Sequence, residues 1–119
     1  MSIFKDQAEF MKACGQTIGE FNKPQAQLYT NLIGEEIGEL ATAAENNDPQ
    51  EVLKELMDVL VVLVGYGHSL GFDMDGAWNE VWKSNMSKID PATGTVLKRE
   101  DGKVLKPETY VAPDMSKYL

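Results

Sequence analysis

The chain has 119 residues, 43% of them apolar and 25% charged, with a formal net charge of −8. That length suits one domain, large enough to bury a core yet small enough that we expect oligomerisation. The acidic balance argues against nucleic acid or an anionic membrane as partner, since both demand basic patches, and the lone Cys14 leaves no internal disulfide and no cysteine-cluster metal site.

The N-terminal MSIFKDQAEF lacks the charged-then-apolar pattern of a signal peptide. The longest apolar run, residues 56–64, is too short to span a bilayer. We therefore expect a cytoplasmic protein. Four helices are expected. The first runs from about Asp6 to Cys14, opened by an Asp6-x-x-Glu9 capping box and ended by Gly15. The second begins after Asn22-Lys23-Pro24 and ends near Asn46. Asp48 then reads as an N-cap with Pro49 at the first helical position, and the third helix continues to about Leu70, where Gly71 stops it. Asp73 or Asp75 caps a fourth helix reaching about Lys88.

Val59, Val61, Val62 and Val64 would also suit a strand, but the cap before them and the length of the segment favour helix. A helix apolar on all sides is expected inside a bundle. From Asp90 the composition shifts to Pro, Gly, Thr and Lys. Two short runs, 95–98 and 103–106, flank Asp101-Gly102, a β-hairpin signal. The fold expected is thus all-α: a four-helix-type bundle over residues 1–89, with an irregular tail over 90–119 belonging to the same domain and carrying a short hairpin. We expect the tail to wrap a neighbouring subunit.

The acids carry the chemistry. Within Leu56-Met57-Asp58-Val59-Leu60-Val61-Val62-Leu63-Val64 a single carboxylate interrupts eight apolar side chains. Burying a lone ionised carboxylate costs on the order of several kcal/mol unless something compensates it. At 100° per residue the second helix gathers Leu28, Leu32, Ile33, Ile37, Leu40 and Ala44 on one half of its surface. Glu36 falls in the middle of that half, Glu39 within the arc, and Glu35 just outside it. On the third helix Glu55 and Asp58 share a face that continues into Val62 and Tyr66. Two neighbouring helices therefore each aim an i,i+3 carboxylate pair at a shared apolar interior. Four such groups cannot all stay ionised without countercharge: either some are protonated or cations hold them. An all-oxygen set without histidine or thiol points to Mg²⁺, with Mn²⁺ as a substitute, rather than Zn²⁺.

Blander readings compete. Glu-Glu-Ile-Gly-Glu-Leu alone also suits a solvated helix face, and Lys54 could pair with Asp58 or with Glu51. A di-iron bundle would want two Glu-x-x-His motifs, and the single histidine, His68, stands in none. His68 is expected at a helix end or in the core.

Glu35-Glu36-x-x-Glu39, fifteen residues, then Glu55-x-x-Asp58 resembles the EExxE…ExxD signature of the MazG-like all-α nucleoside triphosphate pyrophosphohydrolases, a superfamily shared with dimeric dUTPases and phosphoribosyl-ATP pyrophosphohydrolase. Leu70-Gly71-Phe72-Asp73, Val81-x-x-Ser84-Asn85-Met86-Ser87-Lys88 and the tail from Asp101 to Asp114 are similar to the short single-domain members. The resemblance implies Mg²⁺-dependent cleavage of a nucleoside triphosphate between the α- and β-phosphates, giving a monophosphate and pyrophosphate. Carried over, Glu36, Glu39, Glu55 and Asp58 would be metal ligands. Glu35 or Glu39 would orient or deprotonate the attacking water. Asn85 and Lys88 would contact the substrate's phosphates.

The fourth helix has an apolar face through Trp78, Val81, Trp82 and Ile89, with Asn85 inside it and Lys88 near its edge. The two tryptophans are expected in the core or at a subunit interface. Two alternatives remain. Phosphoribosyl-ATP pyrophosphohydrolase ranks lower, because it should want more basic residues than the 11 present. The other is a catalytically silent helical module that binds or buffers metal.

Overall fold

A computed structural model describes residues 2–119. The order is α1 (Ile3–Ala13), α2 (Lys23–Glu45), α3 (Pro49–Ser69), α4 (Met74–Met86), then β1 (Ile89–Asp90), β2 (Thr95–Val96) and a single 3-10 turn at Ser116–Tyr118. The protein is all-α apart from that small antiparallel pair. Its residues fall into two compact units, one through Met74 and one from Asp75 to Leu119. Among the described residues no helix is long and apolar enough to cross a membrane.

In the first unit α3 packs along α2 and against α1. Asn22 caps α2 by accepting from the Gln25 amide, and Pro24 sits in the first turn. Asp48 caps α3 in the same way through the Glu51 amide. The first helix starts earlier than its sequence pattern suggested. Ser2, not Asp6, is the N-cap, its hydroxyl accepting from the Lys5 amide. Asp6 lies in the first turn instead, where a negative charge still suits the helix dipole.

The core is Met11, Tyr29 and Val62, with Ile18, Leu32, Ile33 and Tyr66 against it. Gly65 lets the helices close: a Cβ there would lie 2.2 Å from Cε1 of Tyr29. Tyr29 in turn donates its hydroxyl to Gln16 Oε1 at 2.7 Å. A buried amide fastens the α1–α2 connection. Gln25 accepts from the Thr17 amide and donates to both the Thr17 carbonyl and Ser69 Oγ, so its polar atoms are satisfied. At the far end of α3, Gly71 adopts φ +80°, with the Glu20 backbone 3.0 Å from where a Cβ would stand. His68 is buried, and its Nε2 donates to the Phe4 carbonyl at 2.8 Å. It is the core residue anticipated.

Three expectations change. The packed stripe of α2 runs through Gln25, Ala26, Tyr29 and Ala43, while Leu28 and Ile37 are exposed. The apolar count placed the stripe off centre because it gave no weight to buried amides. Only one side of α3 is covered by α1 and α2; Leu53, Leu56, Met57, Leu60, Val61 and Leu63 are all exposed. In the second unit α4 buries Ser84, and Trp78 and Trp82 are 62% and 52% exposed, which removes the core from the two places expected for them and leaves the subunit interface. Periodicity marks an apolar face but does not say what stands against it.

The hairpin also differs. Thr95–Val96 pairs backwards with Ile89–Asp90. The expected partner run survives as a Lys98–Val104 bridge, with an Arg99 amide to Lys103 carbonyl bond on one side of it and a Leu105 amide to Leu97 carbonyl bond on the other.

Replacing Gly65 by alanine should cost about 1–3 kcal/mol of stability through overpacking, read by urea denaturation. Gly34→Ala, at a helical site with nothing within 4 Å, should instead stabilise by about 0.5–1 kcal/mol.

Candidate metal centre

The seam between α2 and α3 holds the acids. Glu36, Glu39 and Glu55 each offer a carboxylate oxygen, and these oxygens lie within 4.8 Å of one another. Glu55 is only 4% exposed, Glu36 is half-buried and Glu39 is exposed. Oε2 of Glu36 and Oε2 of Glu55 are buried with no hydrogen-bond partner. Such orphaned acceptors are costly and rare in a folded protein, and they commonly mark a missing ion or water. The donor set is hard oxygen throughout, which fits a small divalent cation.

Asp58, the acid that stood out in the sequence, is held apart from this trio. Its Oδ2 is 3.1 Å from Lys54 Nζ, which also lies 3.1 Å from Glu55 Oε1. The i,i+4 pairing to Asp58 is one of the two lysine pairings weighed as a blander reading of the acids. The second partner is Glu55 rather than Glu51.

Electrostatics follow from these positions. Glu36 sits above the usual carboxylate range because burial disfavours its charge, and the Glu39 and Asp58 carboxylates add to this. Glu55 sits below it, chiefly through its hydrogen bond from Lys54. Lys54 is raised in turn by Asp58 first and Glu55 second. Glu51 joins the network by hydrogen-bonding Glu55, which raises its own carboxyl. Sequence reading passed over Glu51 as a site residue, although its i,i+4 spacing to Glu55 puts both on one face.

Beside the acids an open cleft of about 610 Å³ is lined by Glu35, Glu39, Thr42, Asn46, Glu51 and Glu55, with Gly38 and Ala43 at its wall. Glu35 is exposed and belongs to this cleft rather than to the clustered trio. A cation at the trio and a polyanion in the cleft would be neighbours.

Asn85 and Lys88 lie in the second unit. Lys88 Nζ donates to Asn85 Oδ1 at 3.1 Å, and its ammonium stands 5.9 Å from the centre of the Tyr110 ring. Lys106 lies 5.1 Å from the same ring. Asn85 is exposed, not buried within an apolar face. Ser87 stitches the tail here: its hydroxyl accepts from the Val111 amide, and its carbonyl accepts from Thr109.

A family model described as phosphoribosyl-ATP pyrophosphohydrolase matches residues 7–85, more than half of the chain. The chain belongs to the phosphoribosyl-ATP pyrophosphohydrolase family. This places it in the MazG-like all-α pyrophosphohydrolase superfamily that the two acidic motifs suggested. The matched span contains every acid of the α2–α3 seam and ends at Asn85. The chain is also similar to an uncharacterized protein, L479, of Acanthamoeba polyphaga mimivirus: 33% identical over 79 residues, covering 50% of this chain and 32% of the relative. The chain thus spans about a third of the length of that relative.

The raised carboxyl of Glu36 sets a pH test. Folding strengthens its hold on a proton, so its contribution is fully present below about 4.5, the ordinary value, and is lost as pH rises through the folded value. In EDTA, Glu36→Gln should therefore melt above the parent protein near neutral pH. The gap should close on acidification below about 4.5, as followed by thermal melts across a pH series.

Proposed function

We propose that this member of the phosphoribosyl-ATP pyrophosphohydrolase family hydrolyses a nucleoside triphosphate to the monophosphate and pyrophosphate with Mg²⁺, Mn²⁺ serving as a substitute. The observation that carries the reading is the pair of buried, unpartnered oxygens on Glu36 and Glu55, two acids of the clustered trio, within the span the family model matches. Glu36, Glu39 and Glu55 would hold the cation, with Asp58 as a fourth ligand. When bound, the cation offsets charge on phosphate oxygens and lowers the pKa of a coordinated water.

The protein's own groups do the rest. Glu35 and Glu39 line the cleft, and either can accept a proton from the attacking water as the α–β phosphoanhydride is cleaved. The resemblance assigns Asn85 and Lys88 to the substrate's phosphates; within their own unit the hydrogen bond from Lys88 Nζ to Asn85 Oδ1 fixes their relative orientation.

A second reading, phosphoribosyl-ATP as substrate, is favoured by the description of the family itself. Both substrates would be cut at the same bond, and only the size and charge of the remaining site would separate them. The cations of the first unit are few: Lys5, Lys12, Lys23 and Lys54, against twelve acids. That balance supports the smaller substrate.

The uncovered side of α3 supports self-association as a homodimer or homotetramer. Met57, Leu60, Val61 and Val64, with Ile3 of α1, line a shallow apolar groove of about 250 Å³. Exposed apolar surface of this kind is unusual on a monomer. Leu60→Glu should lower the mass in solution, as measured by sedimentation; an unchanged mass would remove this face as the contact.

The functional test is a panel of the common nucleoside and deoxynucleoside triphosphates and phosphoribosyl-ATP, each with Mg²⁺ and with EDTA, and products resolved. We expect Mg²⁺-dependent monophosphate and pyrophosphate from a triphosphate, lost in Glu55→Gln and Asp58→Asn with the fold retained. Turnover of phosphoribosyl-ATP alone would select the second reading. Absence of turnover on every compound, with metal still bound, would leave a silent binding module.

A further inference from the structure

Lys54 presents an anomaly for a metal centre. Its ammonium occupies the space a cation would compete for, bridging Glu55 Oε1 and Asp58 Oδ2 at 3.1 Å each. The consequence is visible in the acids. Three of the four motif carboxylates converge, and the fourth, Asp58, is turned to the lysine instead. Glu55 is divided between two roles: Oε1 is held by Lys54, while Oε2 is buried and without a partner among the clustered acids.

The two ends of this bridge differ in their surroundings. The Glu55 side chain is 5% exposed, whereas Lys54 is 61% and Asp58 36% exposed. A long, solvated lysine stem can leave its partners by rotating about its own bonds, with water replacing what the ammonium loses. Exposed ion pairs of this kind are weak and easily exchanged. A hard divalent cation has twice the charge and prefers carboxylate oxygens. The competition is therefore one that the cation wins, at a cost set by the lysine.

We propose that Lys54 is a placeholder: it holds Glu55 and Asp58 while the centre is free of metal, and it yields Asp58 to the divalent cation on binding. The proposal rests on the reading of the seam as a metal centre. It explains how a cluster of acids survives without metal, and why Asp58 stands outside the trio. It makes Lys54 a positioning residue, whose removal affects metal affinity and metal-free stability in opposite directions. Once released, its ammonium is free for an anion in the adjoining cleft, beside Glu51 and Glu55.

The test uses the full chain and Mn²⁺ alone, with binding read by electron paramagnetic resonance and stability by thermal melts in EDTA. Lys54→Met keeps the stem of the side chain and removes the ammonium with its charge. We expect it to melt lower in EDTA and to bind Mn²⁺ about fivefold or more tighter, the low end for two ligands competing through shared groups. Lys54→Arg keeps the charge in a fork that grips two carboxylates more firmly. It should retain the EDTA stability and bind Mn²⁺ more weakly than the parent, so the idea can be tested even if the methionine variant does not fold. Equal Mn²⁺ affinity in parent and variants, or weaker binding in Lys54→Met, would overturn the placeholder role while leaving the metal centre intact. Absence of Mn²⁺ binding in the parent protein would overturn both.

Discussion

Like charges packed at the α2–α3 seam are the constraint on which the rest of this protein turns. Glu36, Glu39 and Glu55 share a space where their oxygens fall within 4.8 Å of one another, and Asp58 and Glu51 stand close by. Carboxylates so placed repel, and the apolar packing around Tyr29, Val62 and Leu32 must hold them together against that repulsion. The close approach of the two helices at Gly65, against the ring of Tyr29, supplies part of the rigidity. Residual stress is relieved unevenly: Glu36 shifts toward its neutral form, while Glu55 is kept ionised by Lys54. Two carboxylates pushed in opposite directions by their surroundings are a common mark of a functional site.

The division of charge along the chain fits this picture. The first unit carries twelve acids against four bases, and the unit from Asp75 onward carries seven of each. The whole net charge of −8 therefore belongs to the unit that contains the seam. That unit attracts cations and repels a free polyphosphate. In the other unit Lys88 and Lys106 gather on the ring of Tyr110, an aromatic face rather than a carboxylate.

Much of this could be read from the sequence, because it rests on local rules. Asn22, Asp48, Pro24 and Pro49 state the starts of α2 and α3 in cap chemistry that does not depend on the fold. The i,i+3 spacing of the acids on two consecutive helices gave their shared orientation, and with it the trio. What failed was whatever depended on the partner surface. Ser2, which the sequence reading passed over, displaced Asp6 as cap because a helix start is decided by which side chain meets a free amide. Trp78 and Trp82 are apolar in any window, yet α4 turns Ser84 inward. Asp58 meets Lys54 at i,i+4, one of the two lysine pairings the spacing offered, and the side chain's contact in the full set of neighbours is what spacing alone leaves open. Helical spacing gives a residue's reach, and competition among neighbours within that reach decides its contact.

The most direct check is where a cation binds. Crystals grown with Mn²⁺ and measured at the manganese absorption edge would show an anomalous peak. The account places it within ligand distance of Glu36, Glu39 and Glu55, with Asp58 turned in and Lys54 turned away. A clean map with no peak at the seam, and with Lys54 still bridging Glu55 and Asp58 at saturating Mn²⁺, would contradict it.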